Sequence, residues 1–170
     1  LFRSQRKGEY ERENAKFSVL SATALSTKEF KVYLSDRTEL TATLLAVSDA
    51  NQLALLKVSG LKTPHIDYAT AHTSVTGAKV FALGSAFERE DPVTAGVITH
   101  VFKDVLVTDM VLHSGENGGP LINRTGQLVG VNTQIPSSKN LDPDLFGAAV
   151  PSQLLLQEFG SYLTPGLAHN

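Results

Sequence analysis

Short apolar runs separated by turn-forming residues dominate the chain. Most runs are too short for a helix and are rich in Val, Leu and Thr, which favour strands. We predict strands at residues 30–34, 40–47, 53–58, 79–83, 93–101, 105–108, 120–122, 128–135 and 147–150. Many short strands at near-regular spacing indicate an all-β barrel or sandwich.

One helix is predicted, close to the C-terminal end. Ser152 is placed as its N-cap, Gln153 to Tyr162 form its body, and Pro165 lies beyond its end. No internal repeat or low-complexity segment interrupts this pattern. The pattern assigns no element to residues 1–16.

Composition narrows the function classes. The 170 residues, 42% hydrophobic and 19% charged, are those of a globular domain with a sizeable core. The formal charge of −2 argues against nucleic-acid binding, which needs clustered Lys and Arg. Cysteine is absent, so disulfides and thiol chemistry are excluded. No apolar run reaches the roughly 20 residues of a membrane span. We interpret the chain as an excised fragment, whose membrane anchor, where one exists, lies outside it.

The strongest local motif is rich in glycine. Residues 115–123 read GENGGPLIN, and residues 126–132 read GQLVGVN. Such glycines let the backbone turn so that successive N–H groups point into one small cavity, as in an oxyanion hole.

This motif resembles the nucleophile loop of HtrA-type trypsin-fold serine proteases, G-N-S-G-G-P-L-(V/I)-N. Further matches follow in the family's order, at residues 32–58, 77–87, 93–98, 108–109 and 147–152. The resemblance implies an all-β, trypsin-like double β-barrel with a C-terminal helix. It implies an N-terminal half-barrel at residues 1–75 and a C-terminal half-barrel plus helix at 76–170, together one trypsin-like domain.

The same resemblance places other residues at the catalytic triad. Ala24 stands for the histidine, Gln52 for the aspartate and Asn117 for the serine. The first histidine of the chain, His65, comes after the predicted 53–58 strand, past the position that the family gives its base. Since the triad needs a hydroxyl, an imidazole and a carboxylate, we predict a non-enzyme, a degenerate pseudoprotease without catalytic residues. Its former oxyanion loop would be Gly115, Glu116 and Asn117.

The positive role expected of such a domain is that of a protein- or peptide-binding scaffold or regulatory domain. In the family, the strand that corresponds to residues 129–135 pairs with substrate backbone. Such a strand edge accepts an extended peptide. The residues expected to bind peptide are Val129, Gly130, Val131, Asn132, Thr133, Gln134 and Ile135. An active HtrA-type protease is a candidate partner. The resemblance also favours an extracytoplasmic location, in the periplasm or an organelle lumen.

Two alternatives stay open. The first is transition-metal binding through His100 and His113, as in the trypsin-like magnetosome proteins, which share the HtrA-like resemblance. Apart from such a metal, no cofactor is expected. The second is a residual serine-type hydrolase using Ser114, although a turn serine before glycine is the simpler interpretation.

Overall fold

The computed structural model describes residues 29–34, 36–59, 65–69, 74–84, 93–113, 115–136 and 139–163. Contacts between Cα atoms divide the chain into two compact units, Leu1–Thr63 and Pro64–Asn170. The half-barrels predicted at 1–75 and 76–170 stay a prediction.

The first unit contains a three-stranded antiparallel sheet in the order β1-β2-β3. Its strands are β1 (Glu29–Tyr33), β2 (Glu39–Ser48) and β3 (Leu53–Val58). The β1–β2 turn is held by the Asp36 carboxylate, which accepts the Thr38 N–H at 2.9 Å. Arg37, between them, has a φ of 67°, a conformation that short polar turns impose on non-glycine residues.

The second unit is a closed antiparallel barrel followed by a helix. The barrel order is β4-β5-β6-β9-β8-β7, and β7 pairs with β4 to close it. The elements are β4 (Lys79–Leu83), β5 (Val93–Val101), β6 (Leu106–Thr108), β7 (Pro120–Asn123), β8 (Leu128–Thr133), β9 (Gly147–Pro151) and α1 (Ser152–Leu163).

The barrel core contains apolar side chains from nearly every strand. Val80, Ile98, Leu106, Leu121 and Val129 are each at most 1% exposed and belong to one cluster. In β4, Val80 and Ala82 both enter this interior, because alternate residues of a strand point to the same face. Packing in this cluster fixes the relative positions of the strands that the loops connect.

The predicted all-β class with a single C-terminal helix is confirmed in the described residues. Two details differ. Strand β8 ends at Thr133 and not at Ile135. Ser152 is the first helical residue, but its buried hydroxyl has no hydrogen-bond partner, so the predicted side-chain cap is not formed.

Candidate functional site

The glycine loop, defined as residues 115–119, connects the region after β6 to the start of β7. Gly115 and Gly118 have φ angles of 97° and 81°, which residues with a Cβ rarely adopt. The loop is closed by the Gly119 N–H, which donates to the Glu116 carbonyl at 3.1 Å. It is tied to β8 by Asn132, whose carbonyl accepts the Gly118 N–H at 2.8 Å and whose N–H donates to Gly119 at 2.9 Å.

Close packing fixes the loop against β4. A Cβ added to Gly119 would lie 2.0 Å from the Leu83 carbonyl oxygen, so no side chain fits at that position. The backbones of the loop and of β4 are therefore in direct contact.

Two backbone N–H groups of the glycine loop make no hydrogen bond within the described residues. Among the described residues, the N–H groups of Gly115 and Asn117 have no hydrogen-bond acceptor. These belong to the residues predicted as the former oxyanion loop. Unpaired backbone donors in a glycine-rich turn are the groups that bind a carbonyl oxygen in oxyanion-hole chemistry.

Glu116, between these two residues, lies in the interior. Its side chain is fully buried, and its carboxylate accepts the Thr94 hydroxyl at 2.8 Å and the His113 N–H at 2.6 Å. The sequence motifs do not reveal this arrangement. Thr94 belongs to a matched block of the sequence, but only the fold brings it to Glu116.

The predicted triad positions are placed as follows. Asn117 is half-buried in the glycine loop. Gln52 is exposed in the turn before β3, where its φ is 53° and its N–H donates to the Asp49 carbonyl at 3.4 Å. Ala24 and Ser114 lie outside the described residues. The roles given to Ala24, Gln52 and Asn117 stay predictions.

Strand β8 differs from the expected free edge. It pairs with β7 through Val131 and with β9 through Thr133, and Asn132 bonds the glycine loop. At Gly130 and Val131 both sides of the strand are therefore used in closing the barrel.

The free backbone begins just after β8. Among the described residues, Gln134 and Ile135 make no backbone hydrogen bond. Gln134 directly follows the last strand residue, Thr133, and comes two residues after Asn132, whose backbone bonds the glycine loop. The binding role of Val129 to Ile135 stays a prediction, with its accessible backbone confined to Gln134 and Ile135.

The predicted metal ligands are both exposed. His100 stacks on Phe102 with ring centroids 6.1 Å apart, and its Nδ1 is 3.2 Å from the Thr99 hydroxyl. His113 contributes its backbone N–H to Glu116. No group of three or more His, Cys, Asp or Glu side chains suited to a metal occurs in the part of the chain that the structure describes.

A family model described as a trypsin-like peptidase domain matches residues 11–131. Because this match covers more than half of the chain, the chain belongs to the trypsin-like peptidase family. Within that family its relatives are of the HtrA and DegP kind, as the sequence motifs predict.

Two curated relatives are each named a probable periplasmic serine endoprotease DegP-like. The protein from Pseudomonas savastanoi is 34% identical over 115 residues, and that from Hahella chejuensis is 36% identical over the same length. Each match covers 63% of this chain and 24% of the relative. The matched region thus spans about a quarter of the length of these relatives.

Solved structures agree with the fold. The serine endoprotease from Yersinia pestis superposes with a TM-score of 0.70 at 26% identity, covering 82% of this chain and 50% of that one. The HtrA-type protease AlgW with decapeptide gives 0.68 at 28% identity, covering 82% and 45%. The predicted trypsin-like fold is confirmed.

These findings correct one prediction. The chain was expected not to be an enzyme, because Ala24, Gln52 and Asn117 occupy the matched triad positions. That prediction is wrong: the family is one of peptidases, and the similar proteins are named serine endoproteases.

No helix in the described ranges combines the length and apolar character needed to cross a membrane.

Proposed function

We propose that this chain is the peptide-binding, trypsin-like domain of an HtrA-type serine endoprotease that works outside the cytoplasm. The observation that carries the proposal is the unpaired backbone of Gln134, which follows β8 two residues after Asn132, the residue whose backbone bonds the glycine loop. The periplasmic naming of the relatives supports the location.

The Gln134 backbone suits an extended ligand. A free N–H and a free C=O on one residue form two hydrogen bonds with one residue of an antiparallel peptide. Gln134 is exposed and Ile135 half-buried, so a ligand strand can reach the first while its side chains contact the second. Main-chain bonds of this kind give affinity that depends little on ligand sequence.

The glycine loop adds donors without adding charge. The N–H groups of Gly115 and Asn117 are neutral and suit a peptide carbonyl oxygen. The buried carboxylate of Glu116, the residue between them, disfavours an anionic ligand. We therefore propose an internal peptide segment as ligand. The partner expected from the family resemblance, an active HtrA-type protease, is one protein that can supply such a segment.

Affinity for fluorescein-labelled β-casein, measured by fluorescence polarisation, tests this proposal. Q134P removes the N–H and keeps the carbonyl, and Thr133 before it already has the strand conformation that a following proline favours. The matched control Q134A keeps the N–H and removes only the side chain. We expect Q134P to weaken binding about tenfold, by the loss of one backbone hydrogen bond, and Q134A to change it less than about threefold.

Two outcomes contradict the proposal. One is a wild-type chain that does not bind β-casein. The other is a folded Q134P variant with wild-type affinity. Gel electrophoresis of the same samples over time measures whether the bound casein is cleaved, and so assigns proteolysis separately from binding.

We make no proposal of metal binding, nor of a relation to the trypsin-like magnetosome proteins. In the described part of the chain, neither His100 nor His113 belongs to a set of three ligand side chains.

A further inference from the structure

We infer that Glu116 is a positioning residue, whose buried carboxylate holds the glycine loop so that Gly115 and Asn117 present their N–H groups outward. The identity of the ligand that these N–H groups bind rests on the proposed function. It concerns the one fully buried carboxylate among the described residues.

Both carboxylate oxygens of Glu116 have a donor. The Thr94 hydroxyl, on β5, donates to Oε1 at 2.8 Å, and the His113 N–H donates to Oε2 at 2.6 Å. Among the described residues, no Lys or Arg forms an ion pair with it. Burying a carboxylate without a cation is costly, and short charge-assisted hydrogen bonds are what offset that cost. These bonds link the carboxylate to β5 and to the backbone that leads into the loop.

The backbone of Glu116 is equally occupied. Its N–H donates to the His113 carbonyl at 3.0 Å. Its carbonyl accepts the Gly119 N–H at 3.1 Å and the Asn132 side-chain amide at 3.2 Å. Every polar atom of Glu116 is therefore engaged, whereas the N–H groups of the residues on either side of it are not. A residue anchored at each polar atom fixes the orientation of both neighbouring peptides.

The sequence provides space for this anchor at Gly84, just after β4. A Cβ added at Gly84 would lie 2.6 Å from the Glu116 Cα and 2.7 Å from its Cγ. Three separate parts of the barrel therefore meet at Glu116: the end of β4, strand β5 through Thr94, and strand β8 through Asn132.

The roles of shape and of hydrogen bonding are separable by substitution. E116L fills the space but removes the carboxylate oxygens to which the His113 N–H and the Thr94 hydroxyl donate. E116Q restores both contacts, because its amide oxygen accepts the His113 N–H while the Thr94 hydroxyl rotates to accept from its amide nitrogen. A residue that only fills volume would be replaced by leucine better than by glutamine.

The experiment combines ¹H–¹⁵N spectra with the β-casein affinity, in the whole chain. We expect E116L to shift the amide resonances of Gly115 and Asn117 and to weaken binding at least about tenfold, and E116Q to stay within about threefold of wild type. Thermal melting by circular dichroism first establishes that each variant is folded. Where E116L does not fold, T94V tests the same link with T94S, which keeps the hydroxyl, as control.

The inference is overturned when a folded E116L, or T94V in its place, keeps wild-type amide shifts and wild-type affinity. That result leaves the proposed function standing, because wild-type binding is measured independently. Conversely, a wild-type chain that does not bind β-casein removes the proposed function, while the amide shifts still decide the role of Glu116.

Discussion

The barrel of the second unit and the sheet of the first unit differ in how completely their strands are paired and their apolar side chains are buried. Every barrel strand has two neighbours, and its core side chains are almost wholly buried. In the described part of the first unit, β1 and β3 each pair only with β2, and Leu45 and Leu56 remain about two-fifths exposed. A closed barrel holds its loops rigidly, and the glycine loop, Glu116 and Gln134 all belong to it.

The largest difference is expected between two matched leucines. Leu121 on β7 is 1% exposed in the barrel cluster, and Leu53 on β3 is 8% exposed in the sheet. Leucine-to-alanine changes in cores cost about 2–5 kcal/mol, and the cost rises with the cavity that is left. We expect L121A near the upper end and L53A near the lower end, measured by urea unfolding. Equal costs would contradict the comparison.

A smaller effect is expected at the glycine loop. G119A places a methyl group against the Leu83 carbonyl, and overpacking of this kind costs about 1–3 kcal/mol. The control is G160A on α1, where the added Cβ meets nothing within 4 Å. Since alanine favours helix over glycine, G160A should stabilise the chain by up to about 1 kcal/mol. Thermal melting should show a lowered melting temperature for G119A and a raised one for G160A. An unchanged melting temperature for G119A would show that the contact with β4 is not tight.

The smallest effect is expected for an ion pair on the barrel surface. Lys139 Nζ lies 2.9 Å from the Asp104 carboxylate, and this hydrogen bond lowers the pKa of Asp104. A lowered pKa stabilises the fold at pH values above the ordinary aspartate range, and the gain is lost as pH falls through the lowered value. Because Asp104 is half-exposed, K139M should cost at most about 1 kcal/mol at neutral pH, including its contact with Phe102.

Urea unfolding of wild type and K139M at neutral and at acidic pH measures this effect. The difference should shrink at acidic pH, where Asp104 is protonated in both proteins. A difference that grows on acidification would contradict the assignment of the pair.

Much of the fold could be predicted from the pattern of apolar residues. The bounds of β3, β4 and β5 are those that the runs give, and β3 and β4 end directly before the turn-forming residues Ser59 and Gly84. The end of β8 was not predictable, since no turn-forming residue stands between Thr133 and Ile135. The last pair of β8 with β9 joins Thr133 to Ala148, next to the first residue of β9, so a distant segment sets that limit.

The site was predictable only in part. The glycines of residues 115–119 marked the loop, and its unpaired N–H groups lie there. The burial of Glu116 was not predictable, because carboxylates are rarely buried and a glutamate between glycine and asparagine resembles a solvated turn residue. Its environment comes from Gly84 and Thr94, which lie far from it in sequence and close to it only in the folded barrel.

The central claim is that an extended peptide pairs with the backbone of Gln134 beside the glycine loop. Amide hydrogen exchange of the wild-type chain, followed by NMR with and without saturating β-casein, tests it most directly. Bound peptide should slow exchange at Gln134, Gly115 and Asn117, and leave Val131, already paired with β7 and β9, unchanged. Unaltered exchange at Gln134 while the peptide is bound would contradict the account.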